Sequence, residues 1–122
     1  MISAMNNARR AHGLPPLRFD EKLRRAARAH SMDMVRRGYF AHGPFARRLS
    51  AFGVQAPLVG ENLAWGTGPA AKAGVIVQEW MASPEHRANV LRPGFHRIGV
   101  GSVVGNFVGR WATVVTADFA GG

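Results

Sequence analysis

Three residues of this sequence have side chains that could jointly hold a metal or move a proton: His42 in "YFAHGP", Glu61 in "LVGENLAWG" and His86 in "SPEHRANVL". Glu61 has apolar neighbours, where an ionised carboxylate is costly unless it is paired or bound to a cation. An imidazole, from His42 or His86, is its natural partner. Ser83 and Pro84 read as a helix start, which puts His86 in the first turn. The positive end of a helix disfavours imidazolium, so a neutral ring is expected there. Neutral imidazole ligates metals and accepts protons. His42 and His86 as ligands, with Glu61 and one position left for water, would suit zinc or a similar divalent ion. The three residues are 19 and 25 positions apart, and no HExxH motif occurs. The same residues would equally make a hydrogen-bonded Glu–His network that locks loops over a core.

Other polar residues in apolar surroundings are His30, Asn62, Glu79 and Asn89. His30 falls on the apolar stripe of a predicted helix and reads as a core histidine. His12 and His96 have arginine-rich neighbours and read as surface residues. There is no G-x-S-x-G for serine hydrolysis, and Ser83 is explained as a side-chain cap. Trp65, Trp80 and Trp111 fit the periodicity of core positions.

These residues need elements to position them. The spacing predicts a helix over residues 2 to about 12, then "LPPL" (14–17) as an extended turn. Asp20 caps a second helix whose Leu23, Ala26, Ala27, His30 and Met34 form one buried stripe, and Gly38 ends it. A short helix is expected near 46–52 and a strand or extended loop at 58–66. Another helix, about 70–82, carries Ala73, Ile76, Val77, Trp80 and Met81 inward, with Glu79 at the edge of that stripe. A short helix from Pro84 to Leu91 follows. Residues 97–119 alternate with period two, and Gly105-Asn106 reads as the turn of a hairpin. Helices first and an antiparallel hairpin last mean α+β.

The 122 residues fit one domain, 1–122, and 47% of them are hydrophobic, enough for a core. There is no cysteine, hence no disulfide and no zinc–thiolate site. No apolar run approaches the roughly 20 residues of a membrane helix. The N-terminal stretch has no apolar signal core, so the chain is expected to be cytosolic or a processed form. The net charge is +9, mostly from arginine, which favours anionic partners such as envelope polymers or lipids. The arginines are dispersed in pairs (9–10, 24–25, 36–37, 47–48), and no recognition helix or aromatic-lined basic strand stands out. Specific nucleic-acid binding is not expected.

Five blocks in order, "NNARRAHGLPPLRFDEKLRRAARAHSMDM", "YFAH", "GENLAWG", "EWMASPEHRANVL" and "FHRIGVG", resemble the CAP superfamily. This is the family of cysteine-rich secretory proteins, antigen 5 and pathogenesis-related proteins, also called SCP-like, here in its cysteine-free bacterial branch. The resemblance runs from Asn6 to Phe119. It implies a three-layer α-β-α sandwich with a small antiparallel sheet between helices. It also implies a surface cavity built on two histidines and two acids, with His42, Glu61 and His86 matching three positions. The second acid of many members, three residues after the tryptophan of the long helix, falls on Ser83, and Glu79 one turn back is the nearest substitute. Most members are secreted, which implies an extracellular or envelope location and a trimmed start at Met1. The expected function is a binding module for a metal ion, small lipid or envelope ligand, with little catalysis. Its alternatives are a metal-dependent hydrolase of peptidase type using the same cavity, and a basic module for anionic envelope polymers or lipids.

Overall fold

A computed structural model describes all residues, Met1–Gly122. The elements run α1 (Ile2–Ala11), β1 (Arg18–Phe19), α2 (Glu21–Arg37), α3 (Phe45–Ala51), β2 (Leu58–Gly66), a 3-10 turn (Gly68–Ala71), α4 (Ala73–Ala82), α5 (Pro84–Val90), β3 (Phe95–Phe107) and β4 (Arg110–Gly121). The four strands are ordered β1-β3-β4-β2. Only β1, on β3, is parallel; the other pairings are antiparallel.

The two faces of β4 define the layers. Val115, Ala117 and Phe119 join Met5, Ile76, Val77, Trp80 and Val90 of α1, α4 and α5 in one buried cluster. The alternate residues Ala112, Val114 and Ala120 pack with Met34, Leu23 and Ala26 of α2 in two smaller clusters on the opposite face. The result is the α-β-α sandwich.

Asp20 Oδ1 accepts from the Leu23 N–H and starts α2, and Gly38, at φ 67°, ends it in the left-handed conformation. The predicted stripe of α2, His30 included, is buried. Its approach to the sheet depends on Gly99 and Gly101. A Cβ on Gly99 would come within 2.1 Å of the Arg24 backbone nitrogen, and one on Gly101 within 2.2 Å of that of Arg28. Helix and strand therefore touch backbone to backbone, and Ser31 Oγ donates to the Gly101 carbonyl at 2.9 Å.

Several local expectations are corrected. The hairpin turns at Val108-Gly109, because Asn106 pairs with Trp111 and Phe107 with Arg110. Gly105 is instead inside β3, where a Cβ would lie 2.9 Å from Val35 Cγ1 on α2. Both turn residues have positive φ, 45° for Val108 and 81° for Gly109. A β-branched residue there is strained by about 1–3 kcal/mol, which is why this turn has no sequence signature. Trp80 is buried, but Trp65 and Trp111 are 38% and 71% exposed, since strand alternation continues past the helices that would cover them. The predicted 70–82 helix is a 3-10 turn followed by α4. Residues 18–19, following the extended "LPPL" turn, add the short strand β1 to the sheet edge.

Arg9 is 1% exposed. It donates to the carbonyls of Pro15, Val90, Arg92 and Phe95 at 2.8–3.2 Å, tying α1 to the end of α5 and the start of β3. No helix is long and apolar enough to cross a membrane.

Candidate functional site

The site is built on β2, the edge strand. Its outer carbonyls are covered by side chains: Trp80 Nε1 donates to Leu63 O at 3.0 Å, and Asn89 Nδ2 to Glu61 O at 3.1 Å. Asn62 Oδ1 accepts from Asn89, and its amide donates to the His86 carbonyl at 3.0 Å. These bonds satisfy an otherwise open edge and fix α5, hence His86, against the strand. "GENL" thus holds its neighbours through backbone and amide as well as through the acid.

Glu61 and Asp118 are direct cross-strand partners on the α2 side of the sheet. Both carboxyls are buried. Glu61 accepts from His42 Nδ1 at 2.9 Å, from Arg48 Nη1 at 2.6 Å and from Arg48 Nη2 at 3.2 Å. Arg48 also donates to the His42 carbonyl at 2.9 Å. Asp118 receives no N–H or hydroxyl donor. Arg48 Nη1 is 3.8 Å from its Oδ2, and the Glu61 carboxyl is its cross-strand neighbour. Burial raises the Asp118 pKa well above the carboxylate range, and the adjacent Glu61 raises it further. Burial raises Glu61 as well, opposed by its bond with Asp118 and by the Arg48 charge. One proton shared by two acids and one guanidinium leaves the buried cluster neutral. Glu61 has the donors that stabilise an anion, so Asp118 holds the proton and donates it to Glu61.

The hydrogen bond to Glu61 fixes His42 with its proton on Nδ1 and leaves Nε2 free. Burial, then Arg48, lowers the His42 pKa, so the ring is neutral at pH 7. His30 is also depressed by burial and by Arg48; its Nε2 is 2.7 Å from the Ala41 carbonyl, which fastens the 39–44 segment to α2. His30 is the satisfied core histidine expected.

His42 and Glu61 are thus brought into contact, and no hydrogen bond or ion pair joins the His86 ring to either. His86 lines a groove of about 330 Å³ with Phe40, Leu63, Ala64, Trp65, Glu79, Trp80 and Ser83. His42 lines a neighbouring cavity of about 570 Å³ with His30, Tyr39, Arg47 and Arg48. Within the 39–44 segment, Phe40 lines the first and Tyr39 and His42 line the second. The histidines still feel one another: burial and then His42 lower the His86 pKa. Both causes act in the direction of the neutral ring expected of His86. Ser83 is the N-cap by position, but its side chain makes no cap hydrogen bond, leaving its hydroxyl in the groove beside Glu79. Both stand-in residues therefore face His86, and neither reaches Glu61 by a hydrogen bond or ion pair.

Sequence reasoning missed Asp118 and Arg48. Asp118 had a signal, an acid inside the apolar run "ATVVTADFAGG". Arg48 had none, because it looks like any member of the arginine pairs.

The fold and this site together define a CAP domain. Residues 2–119 match the CAP (cysteine-rich secretory protein) family, and the chain belongs to it. It is 38% identical over 109 residues to YkwD of Bacillus subtilis, covering 84% of this chain and 41% of that protein. It is 33% identical to YlbC of the same organism, named a membrane protein, covering 91% of this chain and 34% of that one. The chain thus spans well under half the length of these relatives. Among solved structures it is similar to an extracellular SCP-domain protein of Bacillus anthracis, at 32% identity and TM-score 0.77, covering 97% of this chain and 38% of that one. An outer surface protein of Borrelia burgdorferi shares the fold at 18% identity and TM-score 0.82, covering 99% and 90%.

Proposed function

We propose that this chain is an extracytoplasmic binding module that takes a small amphipathic ligand, such as a single-chain lipid or a sterol, in the groove beside His86, without turnover. The observation that carries this reading is the groove's make-up. Phe40, Leu63, Ala64, Trp65 and Trp80 form an apolar wall, and His86, Ser83 and Glu79 put polar groups beside it. Its volume lies at the lower end of the roughly 300–1,000 Å³ of small-molecule sites. The extracellular and outer-surface proteins among its structural neighbours support the location.

A divalent metal is less well served. No three His, Cys, Asp or Glu side chains are placed so that they could hold one metal ion. Both Glu61 oxygens accept from Arg48, and one also from His42. His42 Nε2 and His86 are left, fewer than the three protein ligands of a catalytic zinc. A hydrolase would also need a carboxylate free to take a proton from water, and the buried acids are held by each other and by Arg48.

Saturable quenching or enhancement of tryptophan fluorescence by a fatty acid or a sterol tests the reading. Wild type should saturate, and Phe40→Ser and His86→Ala should bind about tenfold more weakly. Absence of saturation with either probe, or zinc-dependent proteolysis by wild type, would contradict it.

A further inference from the structure

Six large apolar side chains are exposed: Phe19, Phe40, Trp65, Val104, Val108 and Trp111. All except Phe19 gather at one end of the molecule. Val108 is in the β3–β4 turn, and Val104 and Trp111 flank it on the paired strands. Phe40 and Trp65 stand edge-on to Phe107 at ring separations of 6.4 and 5.5 Å. The basic residues of this end are Arg36 and Arg37, at the last turn of α2 beside Gly105, and Arg110 in the hairpin. Of the nearby acids, Asp33 is bonded to Arg37 and Tyr39, and Glu79 lies in the groove with Trp65.

We propose that this end docks onto an anionic phospholipid bilayer, with Trp111 and Val108 entering the headgroup region and Arg36, Arg37 and Arg110 meeting the lipid phosphates. Tryptophan favours the membrane–water interface, where its ring is half solvated. Arginines near an anionic leaflet add attraction, and the net charge of +9 acts in the same direction. The turn itself points to an apolar surface. Val108 holds a conformation that asparagine or glycine would adopt without strain, yet it is 60% exposed, so its side chain gains little burial within the chain. A second copy of the chain fits less well, because joining these ends would bring the arginines of both copies together. A soluble polyanion would leave Trp111 and Val108 uncovered. Phe40 and Trp65 belong to both this end and the His86 groove, but Trp111, Val108, Arg36 and Arg110 do not line the groove, so variants at these four test this proposal without touching the other.

Flotation with phosphatidylcholine vesicles, with and without phosphatidylglycerol, tests it on the whole chain. Wild type should float with the phosphatidylglycerol vesicles and not with phosphatidylcholine alone. At low salt, removing Arg36 or Arg110 should weaken binding about fivefold each. Trp111→Ser should weaken it on the order of tenfold, while Phe19→Ser, at the opposite end, should leave it unchanged. Val108→Asn should also weaken binding, and because asparagine relieves the turn, misfolding would not account for that loss. Binding that is indifferent to Trp111→Ser and Val108→Asn, or no binding to either vesicle, would overturn the proposal. So would a dimer in solution that Trp111→Ser dissociates.

Discussion

Replacing Asp118 by asparagine should make this protein more stable at neutral pH, although Asp118 is completely buried. Burial, with Glu61 beside it, raises its native pKa well above the ordinary value of 3.8. The unfolded chain releases this proton near 3.8, and the native chain releases it only at higher pH. Between those points the native state binds more protons, so stability falls as pH rises. Whatever the protonated pair contributes is fully present below 3.8 and is lost towards the native pKa, at about 1.4 kcal/mol per pH unit. Asparagine keeps an N–H donor for Glu61 and has no proton to lose. Wild type and Asp118→Asn should therefore be equally stable near pH 4 and diverge above it, the variant gaining. Denaturant unfolding at pH 4, 5.5 and 7 measures the difference, since the exposed carboxyls titrate alike in both proteins. A variant less stable at pH 7 by more than about 1 kcal/mol, with the gap closing at low pH, would refute the shared proton. It would mean that Asp118 is ionised and paired with Arg48 across 3.8 Å.

Arg9→Met should cost about 3 kcal/mol or more, because four carbonyls lose a charged donor; Arg10→Met, on the exposed side of α1, should stay within about 0.5 kcal/mol by the same unfolding assay. Gly101→Ala should lose about 3 kcal/mol or fail to fold, since its Cβ would strike the Arg28 backbone. By contrast, Gly74→Ala on α4, which meets open space, should gain up to about 1 kcal/mol, read as a higher Tm. Val108→Asn should gain about 1 kcal/mol by releasing the strained turn, seen as a rise in the denaturation midpoint.

The helices were legible in the sequence because their signals are local. Asp20 and Gly38 bound α2, and the 3- and 4-residue steps between them give its buried face. The hairpin was legible in kind but not in register. Gly105-Asn106 has turn chemistry and Val108-Gly109 does not, yet the packing of Gly105 against α2 keeps the former in the strand. Of the site, the matched residues were legible by resemblance and the His42–Glu61 contact by the need of a buried acid for a partner. The remainder depends on tertiary placement. Asp118 joins Glu61 through the β2–β4 register, and Arg48 reaches both from a helix that sequence pattern marks only as basic. That Phe40 lines one cavity and His42 the other depends on the path of residues 39–44, which no local pattern encodes.

The central claim is that Glu61 is a held structural anion and not a metal ligand or a base. Carboxyl 13C NMR of protein labelled at glutamate, with Glu61 assigned through Glu61→Gln, addresses it most directly when zinc is titrated in at pH 7. The account predicts a Glu61 resonance at the ionised position that does not move with zinc, even if the imidazole signals of His42 and His86 do. A Glu61 resonance that shifts saturably with zinc would contradict it and restore the metal-hydrolase reading.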